Sequence, residues 1–299
     1  MSIFRCVLIQ YALAIALGMC AGLGCSVTSH ETAPAQIGTS VGAAMFEKSL
    51  MTPGPVRVRR RVSARWEVSR AGLVNLDHPA AADLEDGLEP IEIYFYEVHH
   101  PDAGTFLVDS GIAEQFRTPE EGTFVSALVA SAMNLDRLEV ELTTAEWLKQ
   151  NGAPAGVLLS HLHLDHIMGL PDVPPGVPLF VSPGETETSG WTHLLTQGST
   201  DRSLAGHPPL RELSFGTERI LDLFGDGSFF VLHVPGHTAG SLAFVARTPD
   251  GPVLITADTC HTRFGWEHGV ESGDFTEDQA AHRVQLARLR ELAGRFPAM

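Results

Sequence analysis

The segment Ser160-His161-Leu162-His163-Leu164-Asp165-His166 holds three imidazoles and one carboxylate within six residues. Neutral imidazole and carboxylate are the donors that divalent zinc or iron prefers. Residues two apart in extended backbone point to one side, so His161 and His163 can share an ion. Asp165 and His166 then turn back and can serve a second ion close by. With 14 histidines in 299 residues, chance rarely assembles H-x-H-x-D-H, and the pattern reads as a metal site rather than as surface histidines.

Donors set this close need rigid elements behind them. The apolar run Val157 to Leu159 leads directly into the cluster, which places the cluster at the end of a strand. Ile91 to Val98 and Thr105 to Val108 are strand-like and flank a turn at Pro101-Asp102-Ala103-Gly104. Phe229 to Val234, Ser241 to Ala246 and Val253 to Ile255 are further strands. Gly122 to Met133 and Thr143 to Gln150 read as helices. Thr276 to Leu292 reads as an amphipathic helix opened by the capping pattern Thr276-x-x-Gln279, with Ala280, Val284, Leu286, Leu289 and Leu292 on its apolar side. Residues 171 to 216, rich in Pro, Gly, Ser and Thr, read as a loop-dominated insertion. The arginine-rich run Val56 to Val62, with Arg65 and Arg70 beyond it, reads as a solvated strand face.

Composition narrows the function. Lys+Arg number 20 against 36 Asp+Glu, a formal charge of −16, and the basic residues are arginine except for Lys48 and Lys149. So acidic a chain repels phosphate backbones, which argues against a nucleic-acid partner. Hydrophobic residues at 44% and charged residues at 19% are those of a globular chain, long enough to bury a sizeable core. Residues 1–25 open with Arg5, run apolar from Cys6 to Leu23 and end in small residues. They read as an export signal, with an uncleaved anchor helix as the alternative. Gly24-Cys25-Ser26 resembles a lipoprotein cleavage site, at which Cys25 would carry lipid and anchor the chain to a membrane. The expected location is periplasmic or membrane-anchored. Residues 26–55 read as a tether, in which Val41 to Leu50 can form a short helix, and 56–299 as the folded domain. Cys260 is the single cysteine of the body, so no internal disulfide is expected.

Four motifs, taken in order, resemble the metallo-β-lactamase-fold hydrolases. They are Phe106-Leu107-Val108-Asp109-Ser110-Gly111, the His161-x-His163-x-Asp165-His166 cluster, Pro235-Gly236-His237-Thr238-Ala239-Gly240-Ser241 and Leu254-Ile255-Thr256-Ala257-Asp258. The resemblance implies an α/β fold, a four-layer αββα sandwich with metals at the edge where two sheets meet. It implies one ion held by His161, His163 and His237 with Asp258 bridging, and a second held by Asp165, His166, Asp258 and a further histidine. The family takes that histidine from a strand after the last helix, and neither strand nor histidine follows Leu292 in this sequence. His261 and His268 are the candidates to replace it, while His282 reads as exposed.

The implied cofactors are two divalent ions, zinc first, with iron or manganese as alternatives, and a weak or empty second site is the alternative to a replacement histidine. Two such ions bring the pKa of a shared water toward about 7, and the metal-bound hydroxide would attack an ester, lactone or thioester carbonyl. Asp165 would orient the nucleophile as well as ligate, and His261 would donate to the oxyanion or leaving group. His166 and Asp258 resemble the glyoxalase II and acyl-homoserine lactonase branches. True β-lactamases use a cysteine where Asp258 stands, so antibiotic hydrolysis is disfavoured. A lysine-poor chain offers little grip for glutathione thioesters. The expected substrate is a neutral, partly apolar ester or lactone, with Trp191, Phe264 and Trp266 as candidate pocket walls and Cys260 as an inert thiol. A mononuclear iron enzyme like the persulfide dioxygenases is one alternative. A truncated, inactive metal-binding relative is the other.

Overall fold

The computed structural model describes residues 30–187, 191–296 and 299, with the backbone alone for residues 191–195. The proposed export signal and Cys25 lie outside the described residues, as does the side chain of Trp191. No helix among the described residues is long and apolar enough to cross a membrane.

The strands, in chain order, are β1 (Thr32–Pro34), β2 (Thr39–Ser40), β3 (Arg57–Ser69), β4 (Leu88–His100), β5 (Gly104–Val108), β6 (Glu139–Val140) and β7 (Gly156–Leu158). There follow β8 (Leu179–Val181), β9 (Leu210–Glu212), β10 (Ile220–Asp222), β11 (Phe229–His233), β12 (Leu242–Thr248) and β13 (Gly251–Ile255). They form an eight-stranded sheet ordered β1-β9-β8-β7-β5-β4-β3-β6 and a five-stranded sheet ordered β13-β12-β11-β10-β2. Strands β5, β7, β8 and β9 run parallel, while β3, β4 and β5 form an antiparallel meander.

The period-2 alternation of side chains explains the layering. On β11, Phe229 and Val231 face the core between the sheets, while Phe230 and Leu232 face an outer core against helices. Leu242 and Phe244 on β12 alternate with Ala243 and Val245 in the same way. A strand covered on both faces reads as a continuous apolar run, as these do. Outside the large sheet, Trp66, Phe95, Leu107 and Trp147 pack against its helices. Outside the small sheet, Phe46, Leu50, Leu289 and Leu292 come from helices Ala43–Leu50 and Gln279–Arg295. The result is helix, sheet, sheet, helix, the four layers expected.

Several local expectations are corrected. From Thr32 onward the stretch read as a tether is part of the fold: Thr32 pairs with Leu210, Ser40 pairs with Leu221, and helix Ala43–Leu50 buries Phe46 and Leu50. The supposed insertion carries β8, β9 and helix Trp191–Ser203, and the two strands extend the large sheet. Three-residue strands are too short to show periodicity in a Pro- and Gly-rich setting. The helix expected from Gly122 forms only over Ala127–Ala132, after a cap by Ser126. The last helix begins at Gln279 rather than Thr276, because Asp278 accepts the Ala281 amide as its cap. On that helix Val284 is 55% exposed, and His282 and Gln285 are buried instead. The arginine run does lie on β3, where Glu97 and Glu92 pair with Arg61 and Arg65, and Glu89 pairs with Arg70 just past the strand end.

Candidate metal centre

Four strand ends build the site. Asp109 follows β5 and Ser160 follows β7, its parallel neighbour. His237 lies in the loop after β11, and Asp258 lies in a helical turn after β13. Asp109 takes a left-handed backbone, φ 62°, which bends the chain at the strand end. That bend aims its carboxylate at the histidine loop. It accepts the Ser160 amide at 2.8 Å and the Ser160 hydroxyl at 3.0 Å, and it lies 2.8 Å from His166 Nδ1.

The glycines around His237 are explained by close approach. A Cβ on Gly236 would lie 2.4 Å from the His282 amide nitrogen, so glycine lets the last helix dock behind the loop. A Cβ on Gly240 would lie 2.5 Å from the side chain of Glu185. Glu185 is buried and joins the two histidine loops, accepting the Leu162 amide at 2.6 Å, the Thr238 hydroxyl at 2.6 Å and the Gly240 amide at 3.1 Å.

The imidazoles converge on one oxygen. Asp258 Oδ2 lies 3.6 Å from His161 Nε2, 3.3 Å from His166 Nε2, 3.4 Å from His237 Nε2 and 2.8 Å from His261 Nε2. On their outer sides, His161 Nδ1 meets the Ser160 hydroxyl at 3.1 Å and His237 Nδ1 meets the Thr276 hydroxyl at 3.3 Å. A fixed outer nitrogen with the inner one presented to a shared space is how ligating histidines are held. Two groups of donor atoms result, each mutually within 4.8 Å: His161, His163, His237 and Asp258, and then Asp165, His166 and Asp258. The first group fits a cation on a further count. His161 Nε2 is buried with no hydrogen-bond partner, an expense that a metal bond would offset.

Electrostatics differ between the groups. Burial, helped by neighbouring imidazoles, pushes His161 and His237 well below the usual histidine range, which leaves them in the neutral, ligating form. Burial also opposes charge on His166, but Asp258, Asp165 and Asp109 outweigh it and raise that group well above its usual value. For Asp258 burial favours the acid. The charges and hydrogen bonds of His166 and His261 override it and hold the carboxyl well below its usual range.

The site opens into a cavity of about 160 Å³ walled by Leu73, Ile91, Ile93, Tyr94 and Tyr96 and floored by Asp165, His166 and Asp258. His261 also lines it, with both ring nitrogens engaged: Nε2 at Asp258 and Nδ1 at 2.5 Å from the Ser272 hydroxyl. It therefore braces Asp258 and lies outside both donor groups. His268 is exposed and packs on the Phe264 ring, also outside them. Phe264 and Trp266, expected as pocket walls, pack against the outer cores instead. Cys260 reaches the cavity half-buried, its thiol donating to the Thr262 carbonyl, and burial pushes its pKa up to about 11. At that value it stays an unreactive thiol. His282, read as exposed, is fully buried 6.0 Å (ring to ring) from His237. Its Nε2 lies 3.1 Å from the Thr259 carbonyl, and burial brings its pKa down to about 4.

Glu185, Tyr94, Tyr96 and Ser272 were not singled out from sequence. The alternation of Tyr94 and Tyr96 on a strand does put both on one face, but nothing local shows that the face meets the histidines.

Residues 86–295 match the model of the metallo-beta-lactamase superfamily. Among curated proteins, the N-acyl homoserine lactonase AttM of Rhizobium johnstonii is 28% identical over 229 residues, covering 75% of this chain and 84% of the relative. The gamma-lactamase FDB1 of Fusarium pseudograminearum is 28% identical over 174 residues, covering 52% of this chain and 41% of the relative. The chain thus spans less than half of that longer protein. Among solved structures, a quorum-quenching N-acyl homoserine lactone lactonase superposes with a TM-score of 0.60 at 21% identity, covering 82% of this chain and 91% of the other.

Proposed function

The chain belongs to the metallo-beta-lactamase superfamily, and from that premise we propose that it is a dizinc hydrolase of neutral, partly apolar lactones or esters. The observation that carries this is the pair of donor groups sharing Asp258 beneath an aromatic and aliphatic cavity. His161, His163, His237 and Asp258 would hold one ion, and Asp165, His166 and Asp258 the other. Their nitrogen and oxygen donors suit zinc. Divalent cations at such a position supply Lewis-acid polarisation of a carbonyl and acidify water.

The protein's own residues supply position. Asp109 and Ser160 fix the histidine loop, and Glu185 ties that loop to the His237 loop. His261, itself set by Ser272, holds Asp258 in place. Asp165, half-exposed at the cavity floor, is an acceptor that can orient a water. The walls of Leu73, Ile91 and Ile93 favour an apolar group and exclude bulk water. Among the described residues the cavity walls include no lysine or arginine, which fits a neutral substrate better than an anionic one. The length of the match to AttM supports a lactone within that class. Export and attachment through Cys25 are also proposed, on the pattern of residues 1–25, and fractionation of a tagged full-length chain tests them.

The full-length chain, loaded with zinc, is assayed on N-hexanoyl homoserine lactone, p-nitrophenyl butyrate, a glutathione thioester and a β-lactam. Turnover of the lactone and the ester is expected, abolished by a chelator and restored by zinc, with the thioester and β-lactam much slower. No turnover of either lactone or ester by the zinc-loaded protein would overturn the reading.

A further inference from the structure

The two cavity tyrosines are employed differently, and the difference rests on the hydrolase reading above for its meaning. Tyr94 is committed: its hydroxyl donates to Glu92 at 2.7 Å, and the Arg60 guanidinium lies 4.5 Å over its ring. Tyr96, whose ring lies 6.4 Å from that of Tyr94, is half-buried in the same cavity beside His166 and Asp258. Its hydroxyl has no hydrogen-bond partner among the described residues. The hydroxyl is not among the buried unpartnered atoms, so it is open to the cavity that Tyr96 lines.

The backbone around Tyr96 is rigid. It sits on β4, paired to Arg60 of β3 on one side and to Val108 of β5 on the other. Val108 immediately precedes Asp109, so the strand that carries Tyr96 is registered directly against the residue that fixes the histidine loop. We propose that the Tyr96 hydroxyl is a hydrogen-bond donor to the substrate, directed at the carbonyl oxygen that gains negative charge when the carbonyl is attacked. A phenol carries its proton at neutral pH and can therefore donate. A donor preset on a paired strand in a partly dry cavity acts without reorganising at the moment of reaction. It also specifies a substrate with a neutral carbonyl acceptor placed over the second donor group, with its apolar part toward Ile91 and Ile93.

The test is Tyr96→Phe, which removes the hydroxyl and keeps the ring. The zinc-loaded variant and wild type are compared for kcat and KM on N-hexanoyl homoserine lactone and p-nitrophenyl butyrate. Zinc content, melting temperature and binding of the ring-opened N-hexanoyl-homoserine by calorimetry are measured alongside. The expected result is a fall in kcat of about 10²-fold on both substrates, weaker product binding, and unchanged zinc content and melting temperature. Full retention of kcat, or a fall that tracks lost zinc or lost stability, overturns the proposal. Wild type inactive on both substrates is a separate outcome: it removes the hydrolase reading and the role of Tyr96 with it.

Discussion

The two donor groups share Asp258 and little else. His161 and His237 are 1% and 0% exposed, set behind Ser160, Thr276 and the Glu185 brace. Asp165, His166 and Asp258 line the cavity floor with side chains 25%, 13% and 16% exposed, and His163 of the first group is likewise only partly buried. The electrostatics diverge as well: burial disfavours a proton on His161 and His237, whereas Asp258, Asp165 and Asp109 outweigh burial and favour one on His166. The buried group has the character of a holding site, already in the protonation state that a cation needs. The open group has the character of a working site. There a divalent cation would take the place of the His166 proton, so loading should release protons.

The largest expected effect breaks the buried group. His237→Ala removes a buried donor of the first group, and kcat/KM on the lactone should fall by about 10³-fold or more together with bound zinc. Retained zinc at both positions in that variant would contradict the division of roles. Asp109→Asn leaves every proposed ligand in place but weakens the brace on His166 and Ser160. Zinc affinity should drop about 10- to 100-fold at the open group, which Asp109 touches directly through His166, and by less at the buried group, which it reaches only through Ser160 and His161, as read by competition with a chromophoric chelator.

A smaller effect concerns stability. His282 carries a pKa near 4 when folded, against 6.5 unfolded. The folded state therefore resists a proton that the unfolded chain accepts. Stability from this group is complete above pH 6.5 and is lost as pH falls toward 4, by about 3 kcal/mol at most. Denaturant melts of His282→Gln should show a flatter acid limb than wild type, and an unchanged limb would remove His282 as its cause. The smallest effect is none: His268→Ala, an exposed residue outside both groups, should leave zinc content and kcat/KM as they are.

Much of this centre was legible because metal donors pack into short contiguous strings at strand ends. His161, His163, Asp165 and His166 come from six consecutive residues, and the glycines around His237 mark tight packing. What lay outside such strings was not legible. Glu185 joins two loops from within a Pro- and Gly-rich stretch that carries no periodic signal. Tyr94 and Tyr96 reach the site because β4 lies beside β5, a fact of sheet order that no local pattern encodes. His282 was misread because polar residues on a helix default to solvent. Here Gly236 leaves room for the helix backbone, and the Thr259 carbonyl gives the imidazole a buried partner. The strands β1, β8 and β9 span three residues each and are stable only as additions to a sheet that already exists.

The measurement that bears most directly on the account is metal content per chain, by elemental analysis of the full-length protein purified without chelator. Two zinc ions per chain are predicted, falling to about one when Asp165 and His166 are both replaced by alanine. Wild type that holds one ion or none when zinc is in excess would contradict the shared-Asp258 centre and the hydrolase built on it.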